Sequence, residues 1–362
     1  MKIGILTYHR SNNYGALLQA IALREVLSDM GHEVSFIDYW PAYHKHMYAI
    51  FSFSLMLSLK GFQKKVSYLA SCIYRYPYRK KRKDNFERFI QTYIEPYLSS
   101  VEETYDIIVH GSDQIWRKQP EIKTYNPIYF GKHSICTSKK ISYAASMGII
   151  SNDKNDKHII KEYLSNLDTI SVREKELREL VTGLGYDCKI CLDPTLLLNN
   201  EQWHSLINFE PTIPGIISGK YVLHYKLLNN SFDEQAIKEF AKRRDIELIT
   251  LYGDPTKETE NKITTASPEQ MLSLINGAEY VFTSSYHGMV FSILFHKPFY
   301  ASFSRNVGRA KSLLSDLHLS ERLLEPKAPI PQSECLIDFS KVDDILKSKR
   351  KPSLDYLEKI VK

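Results

Sequence analysis

Three observations predict an α/β protein. The first forty residues read as a βαβ unit. "KIGILTY" (2–8) is a strand, Asn12 and Asn13 offer helix caps, and Leu17, Leu18, Ile21, Leu27 and Met30 recur near helical spacing. Gly31 stops the helix and "EVSFIDYW" (33–40) is the next strand, which implies a parallel sheet. Second, the same strand–helix rhythm restarts near residue 220. Third, polar clusters follow the strands, and open α/β sheets bind ligands outside the carboxyl ends of their strands. The expectation is two Rossmann-like domains, 1–207 and 220–330, whose parallel sheets face a central cleft. A helical, basic insertion at 41–95 interrupts the first, and a helical tail, 331–362, follows the second.

In order along the chain, 41–95 leaves the α/β rhythm: apolar and aromatic residues come first, then a basic cluster. Strands resume at "YDIIVHGSD" (105–113), "KISYAASMG" (140–148) and "TISVRE" (169–174), and "CKICLDPTLLL" (188–198) closes the first half. The Pro- and Gly-rich "NFEPTIPGIISGK" (208–220) reads as the inter-domain linker. In the second half "KYVLHY" (220–225), "IELITLY" (246–252), "EYVFTSS" (279–285) and "PFYAS" (298–302) are strands. Helices are predicted over 232–244, over 267–278 with Ser267 as cap and Pro268 at the first position, and over 287–297.

Composition bounds the function. With 43% hydrophobic and 25% charged residues, the 362-residue chain reads as a soluble globular protein. Its 24 tyrosines suit sugar-facing surfaces or ordinary packing. The net charge is +6, and residues 75–88 alone carry +5, so the rest is near neutral and a nucleic-acid coat is not expected. Five scattered cysteines fit a reducing compartment, and the isolated Cys188–Cys191 pair cannot complete a zinc site. No signal peptide is visible, and the apolar run Met47–Leu59 is shorter than the about 20 residues that span a bilayer. A cytoplasmic location is expected.

The chemistry is expected at the strand ends. Neither GxGxxG nor GxxxxGK[ST] occurs. Asn12, Asn13 and Tyr14 lie in "YHRSNNYG", which opens a helix; ligand contact and simple capping both fit. In "HGSDQIWR" (110–117), Asp113 is a candidate acid or base and Trp116 a candidate sugar platform, unless Asp113 only caps a turn. Arg173 offers a fork for a carboxylate or phosphate, or an ion pair with Glu174 or Asp193. In "TSSYHG", Ser284 and Ser285 can bind an anion or cap the next helix, Gly288 permits a tight turn, and His287 stands at a helix N-terminus facing the cleft. Arg305 and Arg309 form a phosphate clamp or a solvated turn.

These pieces together resemble the polysaccharide pyruvyltransferase family over roughly residues 1–320. The resemblance rests on "GILTYHRSNNYGALLQAIAL", "GHEVSFIDY", "YDIIVHGSDQIW", "YAASMG", "SVREKE", "LDPTLLL" and "TSSYHGMVFSILFHKPF" followed by Arg309. That family is similar to two-domain glycosyltransferases of the GT-B type. The resemblance implies transfer of pyruvate from phosphoenolpyruvate to a sugar of a cell-surface polysaccharide precursor, forming a cyclic ketal. No metal or other cofactor is implied. His287 would be the family's histidine, with Asp113 orienting or deprotonating the acceptor. Arg173 and Arg309 would bind the donor, beside Ser284, Ser285 and Gly288. Asn12, Asn13, Tyr14 and Trp116 are the expected acceptor or loop contacts. The chain departs from the family pattern at Ser284, where relatives carry an acid, at Arg117, where they carry Asn, and over 41–95.

The resemblance also implies an acceptor carried on a lipid. The apolar and basic 47–88 region fits contact with the inner face of the cytoplasmic membrane, or a solvated helix packed on the first domain. Two other functions fit the same architecture: a glycosyltransferase using a nucleotide-sugar donor, and a non-catalytic anion- or sugar-binding relative.

Overall fold

The computed structural model describes residues 1–47, 49–209, 213, 216, 219–227, 231–331 and 336–361. Most of the expected linker core, 210–218, and Cys335 lie outside them.

The first half runs β1 (Lys2–Leu6), α1 (Tyr14–Asp29), β2 (Glu33–Ile37), α2 (Ala42–Met47), α3 (Phe53–Ser58), α4 (Phe62–Tyr93), β3 (Leu98–Ser99) and β4 (Tyr105–His110). It continues through β5 (Thr137–Ser142), α5 (Lys154–Leu164), β6 (Ser171–Val172), α6 (Lys175–Gly183), β7 (Lys189–Ile190) and α7 (Asn200–Leu206). The second half runs β8 (Tyr221–Lys226), α8 (Glu234–Arg243), β9 (Glu247–Tyr252), β10 (Lys262–Ile263), α9 (Pro268–Gly277) and β11 (Tyr280–Thr283). It ends with α10 (Tyr286–Leu294), β12 (Phe299–Ser302), α11 (Gly308–Asp316), β13 (Leu323–Leu324) and α12 (Phe339–Ile360).

Both sheets are parallel and share one winding. The first has the order β3-β2-β1-β4-β5, the second β10-β9-β8-β11-β12-β13. In each, the chain steps outward in one direction and then returns to the other side of its first strand. Each sheet thus has a topological switch point, between β1 and β4 and between β8 and β11, where ligands of doubly wound sheets bind. This is the GT-B-like arrangement the sequence predicts.

The elements form where the sequence supplies caps and apolar faces. Asn13 accepts hydrogen bonds from the Gly15 and Ala16 amides at the start of α1, and α1 is buried along nearly its whole length. Ser267 and Gln270 close a capping box on α9, with Pro268 at its first position. The helix α10 is buried on every side. Its apolar length fits a helix sandwiched between the sheet and α9, not a surface helix.

Several elements differ from expectation. The strand expected over 140–148 stops at Ser142, and those at 169–174 and 188–198 shrink to β6 and β7. β6 and β7 pair with each other, and single bridges, Ile141 to Thr169 and Ala145 to Val172, link them to the first sheet. At Ser142 the side-chain hydroxyls take over: Ser142 Oγ donates to Ser171 O, Ser171 Oγ donates to Ser142 O and accepts from Ala144 N, which breaks the ladder. The C-terminal helix α12 returns to the first half. There Tyr356 donates to Ser142 O, Lys139 to Ile360 O, and Arg350 to Leu196 O and Leu198 O. No helix among the described residues is long and apolar enough to cross a membrane.

Candidate functional site

A cavity of about 360 Å³ lies between the two sheets. Its walls come from the segments that follow β1 (Tyr8, Asn12, Asn13), β4 (Asp113, Arg117), β8 (Leu227) and β11 (Ser284, Ser285, His287). These are the four strands that flank the two switch points, so topology alone places the cavity here. Arg305, Asn306 and Arg309, beyond β12, complete the wall.

His287 is the second residue of α10 and reaches across to α1. It can do so because residue 15 is glycine: a Cβ there would lie 1.9 Å from His287 Nδ1. The imidazole therefore sits where the N-termini of two helices converge, one from each half, and both helix ends favour negative charge. Ser285 caps α10 by accepting from the Gly288 amide at 3.2 Å, and Asn13 caps α1.

Behind the histidine runs a buried ionic chain. His287 Nε2 lies 3.4 Å from Asp193 Oδ2, and Arg173 Nη1 lies 2.7 Å from the same oxygen. Asp193 Oδ1 accepts from the amide and hydroxyl of Thr195 at 2.9 and 2.7 Å. Arg173 also donates to Ser112 Oγ. Burial alone would raise the Asp193 carboxyl, but Arg173, His287 and Thr195 outweigh it and hold it well below the usual carboxylate range. The ionised Asp193 thus faces Nε2 of the imidazole, while Nδ1 lies on the Gly15 side.

Cations dominate the cavity wall. Among the described residues, Arg82, Arg117, Arg305 and Arg309 line it against a single carboxylate, Asp113. Arg309 stands over the Tyr286 ring, 4.9 Å from its centroid, and its Nε is 3.9 Å from Glu174 Oε1. Glu174 is buried and accepts from Ser146 Oγ at 2.6 Å; burial pushes its carboxyl up, opposed by Arg173 and Ser146. Asp113 adopts φ 75°, a left-handed conformation that Asp tolerates better than most residues. Its backbone oxygen accepts from Ser146 N, which leaves the side chain at the cavity.

The structure brings together Asn12, Asn13, Tyr14, Asp113, Ser284, Ser285, His287, Arg305 and Arg309 around this cavity. Three expectations are corrected. Trp116 is fully buried, stacked on Phe130 with its Nε1 donating to Tyr129 O, so it offers no sugar platform. Arg173 is buried and committed to Asp193; it lies behind His287 and does not line the cavity. Gly288 makes no turn but lies inside α10, where a Cβ would meet Thr283 Oγ1 at 2.4 Å; its amide is taken by Ser285, so it too leaves the donor-binding set. Of the asparagines, Asn13 is a cap, and its capping oxygen is the one used. Tyr14 lines the cavity with its hydroxyl already donated to Ala266 O at 2.8 Å.

Sequence reasoning missed two cavity residues, Arg82 and His44, and the glycine that packs against His287. Arg82 belongs to the basic cluster but turns inward, donating to Thr264 O at 3.0 Å with its guanidinium over the Tyr14 ring. His44, from α2, stacks on Tyr8 at 4.6 Å, and burial lowers its pKa to about 4, so it is neutral near pH 7. Gly15 was visible only as the end of a polar loop. Among the described residues no group of three or more His, Cys, Asp or Glu side chains could hold a metal ion.

A family model described as polysaccharide pyruvyl transferase matches residues 13–305. No curated protein matches the chain. Among solved structures, the UDP-GlcNAc 2-epimerase of Methanocaldococcus jannaschii is similar at a TM-score of 0.48 and 10% identity, covering 97% of this chain and 93% of that one. The glycosyltransferase SnogD of Streptomyces nogalater gives 0.44 at 10% identity, covering 98% and 95%. The E. coli heptosyltransferase WaaC gives 0.40 at 11%, covering 96% and 100%. The fold described above rests on the chain's own strand order and not on these likenesses.

Proposed function

The chain belongs to the polysaccharide pyruvyl transferase family, and from that premise we propose that it transfers pyruvate from phosphoenolpyruvate to two hydroxyls of a saccharide, forming a cyclic ketal. One observation carries the choice of donor: four arginines against one carboxylate at a cavity where two helix N-termini meet. Phosphoenolpyruvate is a compact anion with a carboxylate and a phosphate, and Arg309 and Arg305 are the residues assigned to it, with the α10 N-terminus and Ser284 beside them.

His287 donates the proton that the methylene carbon must gain. The C2 centre then becomes oxocarbenium-like, and a sugar hydroxyl adds to it. The C–O bond to phosphate breaks, and the second hydroxyl closes the ketal. The two hydroxyl protons balance the reaction: one replaces the proton His287 gave to the new methyl group, the other leaves with phosphate. Asp113, which lines the same cavity, is assigned to orient or deprotonate the acceptor. Asp193, beside Nε2, orients the imidazole, and Arg173 holds Asp193. No metal or further cofactor has a role in this scheme. The acceptor is a precursor of a cell-surface polysaccharide.

The test is release of inorganic phosphate from phosphoenolpyruvate with a panel of saccharides. Release that needs both a saccharide and His287, lost in His287→Ala with the fold intact, is the expected result. Turnover of a nucleotide sugar without phosphoenolpyruvate would replace this reading with glycosyl transfer. Binding of phosphoenolpyruvate with no turnover on any acceptor would mark a non-catalytic relative.

A further inference from the structure

Helix α4 buries mainly its C-terminal part, from Arg82 on, and only Cys72 in its first half. Phe86, Phe89 and Ile90 join the core, and Asn85 donates to Thr265 O at 2.6 Å. Its first half instead shows solvent an apolar stripe. Phe62, Val66, Leu69, Ile73 and Tyr76 recur at alternating spacings of four and three residues, so they share one helix face. All are exposed, Phe62 by 82% and Ile73 by 75%. Phe53, Leu55 and Leu57 of α3 are exposed as well. A contiguous apolar surface of this kind marks an interaction site.

Charge selects the partner. From Tyr39 to Lys83 the chain has ten Lys and Arg and no Asp or Glu. Arg75 and Lys81 pair with Asp254 and Glu258 of the second half, which braces α4 against it. No ion pair is found for Lys60, Lys64 or Lys65 among the described residues, and these three lie beside the start of the stripe. A second copy seated on this face would bring like charges together. An anionic lipid surface matches both the apolar stripe and the charge.

The face is also close to the chemistry. A cavity of about 450 Å³, lined by Met47, Ile50, Leu55, Tyr68, Arg79 and Lys83, adjoins the one that holds His287. The two share Asn12, Met47, Arg82 and Gly253.

We propose that α3 and the first half of α4 seat the protein on an anionic membrane surface, with the adjoining cavity on the bilayer side. This inference does not rest on the pyruvyl-transfer reading.

The experiment is co-sedimentation at low salt with vesicles of phosphatidylglycerol and phosphatidylcholine, or of phosphatidylcholine alone. The full chain pellets with the anionic vesicles only. Lys64→Gln with Lys65→Gln weakens partitioning on the order of thirty-fold. Phe62→Glu with Ile73→Glu abolishes it, and both pairs keep the native circular-dichroism spectrum. Absence of pelleting, or equal pelleting of all three proteins, overturns the proposal. So does a dimer in sedimentation velocity that the Phe62 and Ile73 variant dissolves, since it assigns the face to a second copy. Vesicle binding needs neither donor nor turnover, so failure of the pyruvyl-transfer reading leaves this result standing, and the reverse.

Discussion

His287 reaches its place because residue 15 has no side chain. The glycine belongs to α1 and the histidine to α10, so one missing Cβ joins the two halves at the reacting group. Gly15→Ala must push the imidazole away from both helix N-termini and from Asp193. The expected outcome is a loss of turnover of about 10²–10⁴-fold, the usual contribution of a positioned acid–base group. Gly183→Ala in α6 is the control. No atom stands within 4 Å of its added Cβ, so turnover stays unchanged while stability rises by about 0.5–1 kcal/mol. Equal activity of the two variants would contradict the placement of His287. Placement at the cavity was legible in sequence where a strand end supplied it, as for His287 and Asp113, and for Arg309 in the helix beyond the next strand. It failed where the partner is distant along the chain. Trp116 is a core residue only because Phe130 and Tyr129 fold back onto it, and Arg173 is a support only because Asp193 is buried beside it.

At the scale of elements, α4 is two helices in function. Its last third is an anchor and its first half a free face, and substitutions should sort accordingly. Phe89→Ala, at a fully buried site, is expected to cost about 3–5 kcal/mol in urea unfolding. Phe62→Ala, at an exposed one, is expected to stay within about 0.5 kcal/mol. Similar losses would mean that the stripe is packed in solution. The helical nature of 41–95 was legible, but the direction of Arg82 was not: seven basic residues over 75–88 look alike until Thr264 and Tyr14 select one of them. The long strands β1, β4, β8 and β9 were readable from their apolar runs. The short β6 and β7 were over-read because Ser142 and Ser171 divert the ladder into side-chain hydrogen bonds.

At the scale of the molecule, buried histidines set the acid limit. Burial lowers the pKa of His44 and of His224 to about 4 each. His110 and His133, with Nε2 atoms 3.0 Å apart, are lowered in the same direction, His110 by burial and the nearby His133, His133 by burial and Lys140. In the unfolded chain such groups titrate near 6.5. As pH falls below that value the unfolded state takes up protons that the folded state refuses. Stability is therefore full above about pH 6.5 and falls toward pH 4, by roughly 1.4 kcal/mol per pH unit for each of His44 and His224. Asp193 acts in a separate window: its depressed pKa contributes stability above about pH 4 that is lost only in stronger acid. Urea midpoints at pH 7 and pH 5 check this, and equal midpoints would contradict it.

The cleft as an anion site for phosphoenolpyruvate is the central claim, and thermal stability with and without that ligand tests it most directly. Inorganic phosphate and a set of nucleotide sugars run alongside. A ligand at 100 times its Kd adds about 2.7 kcal/mol to the folded state. Stabilisation by phosphoenolpyruvate beyond that by phosphate, lost in Arg309→Ala, is the predicted result. Stabilisation by a nucleotide sugar, with none from phosphoenolpyruvate, would contradict the account and return His287 and the arginines to a diphosphate site.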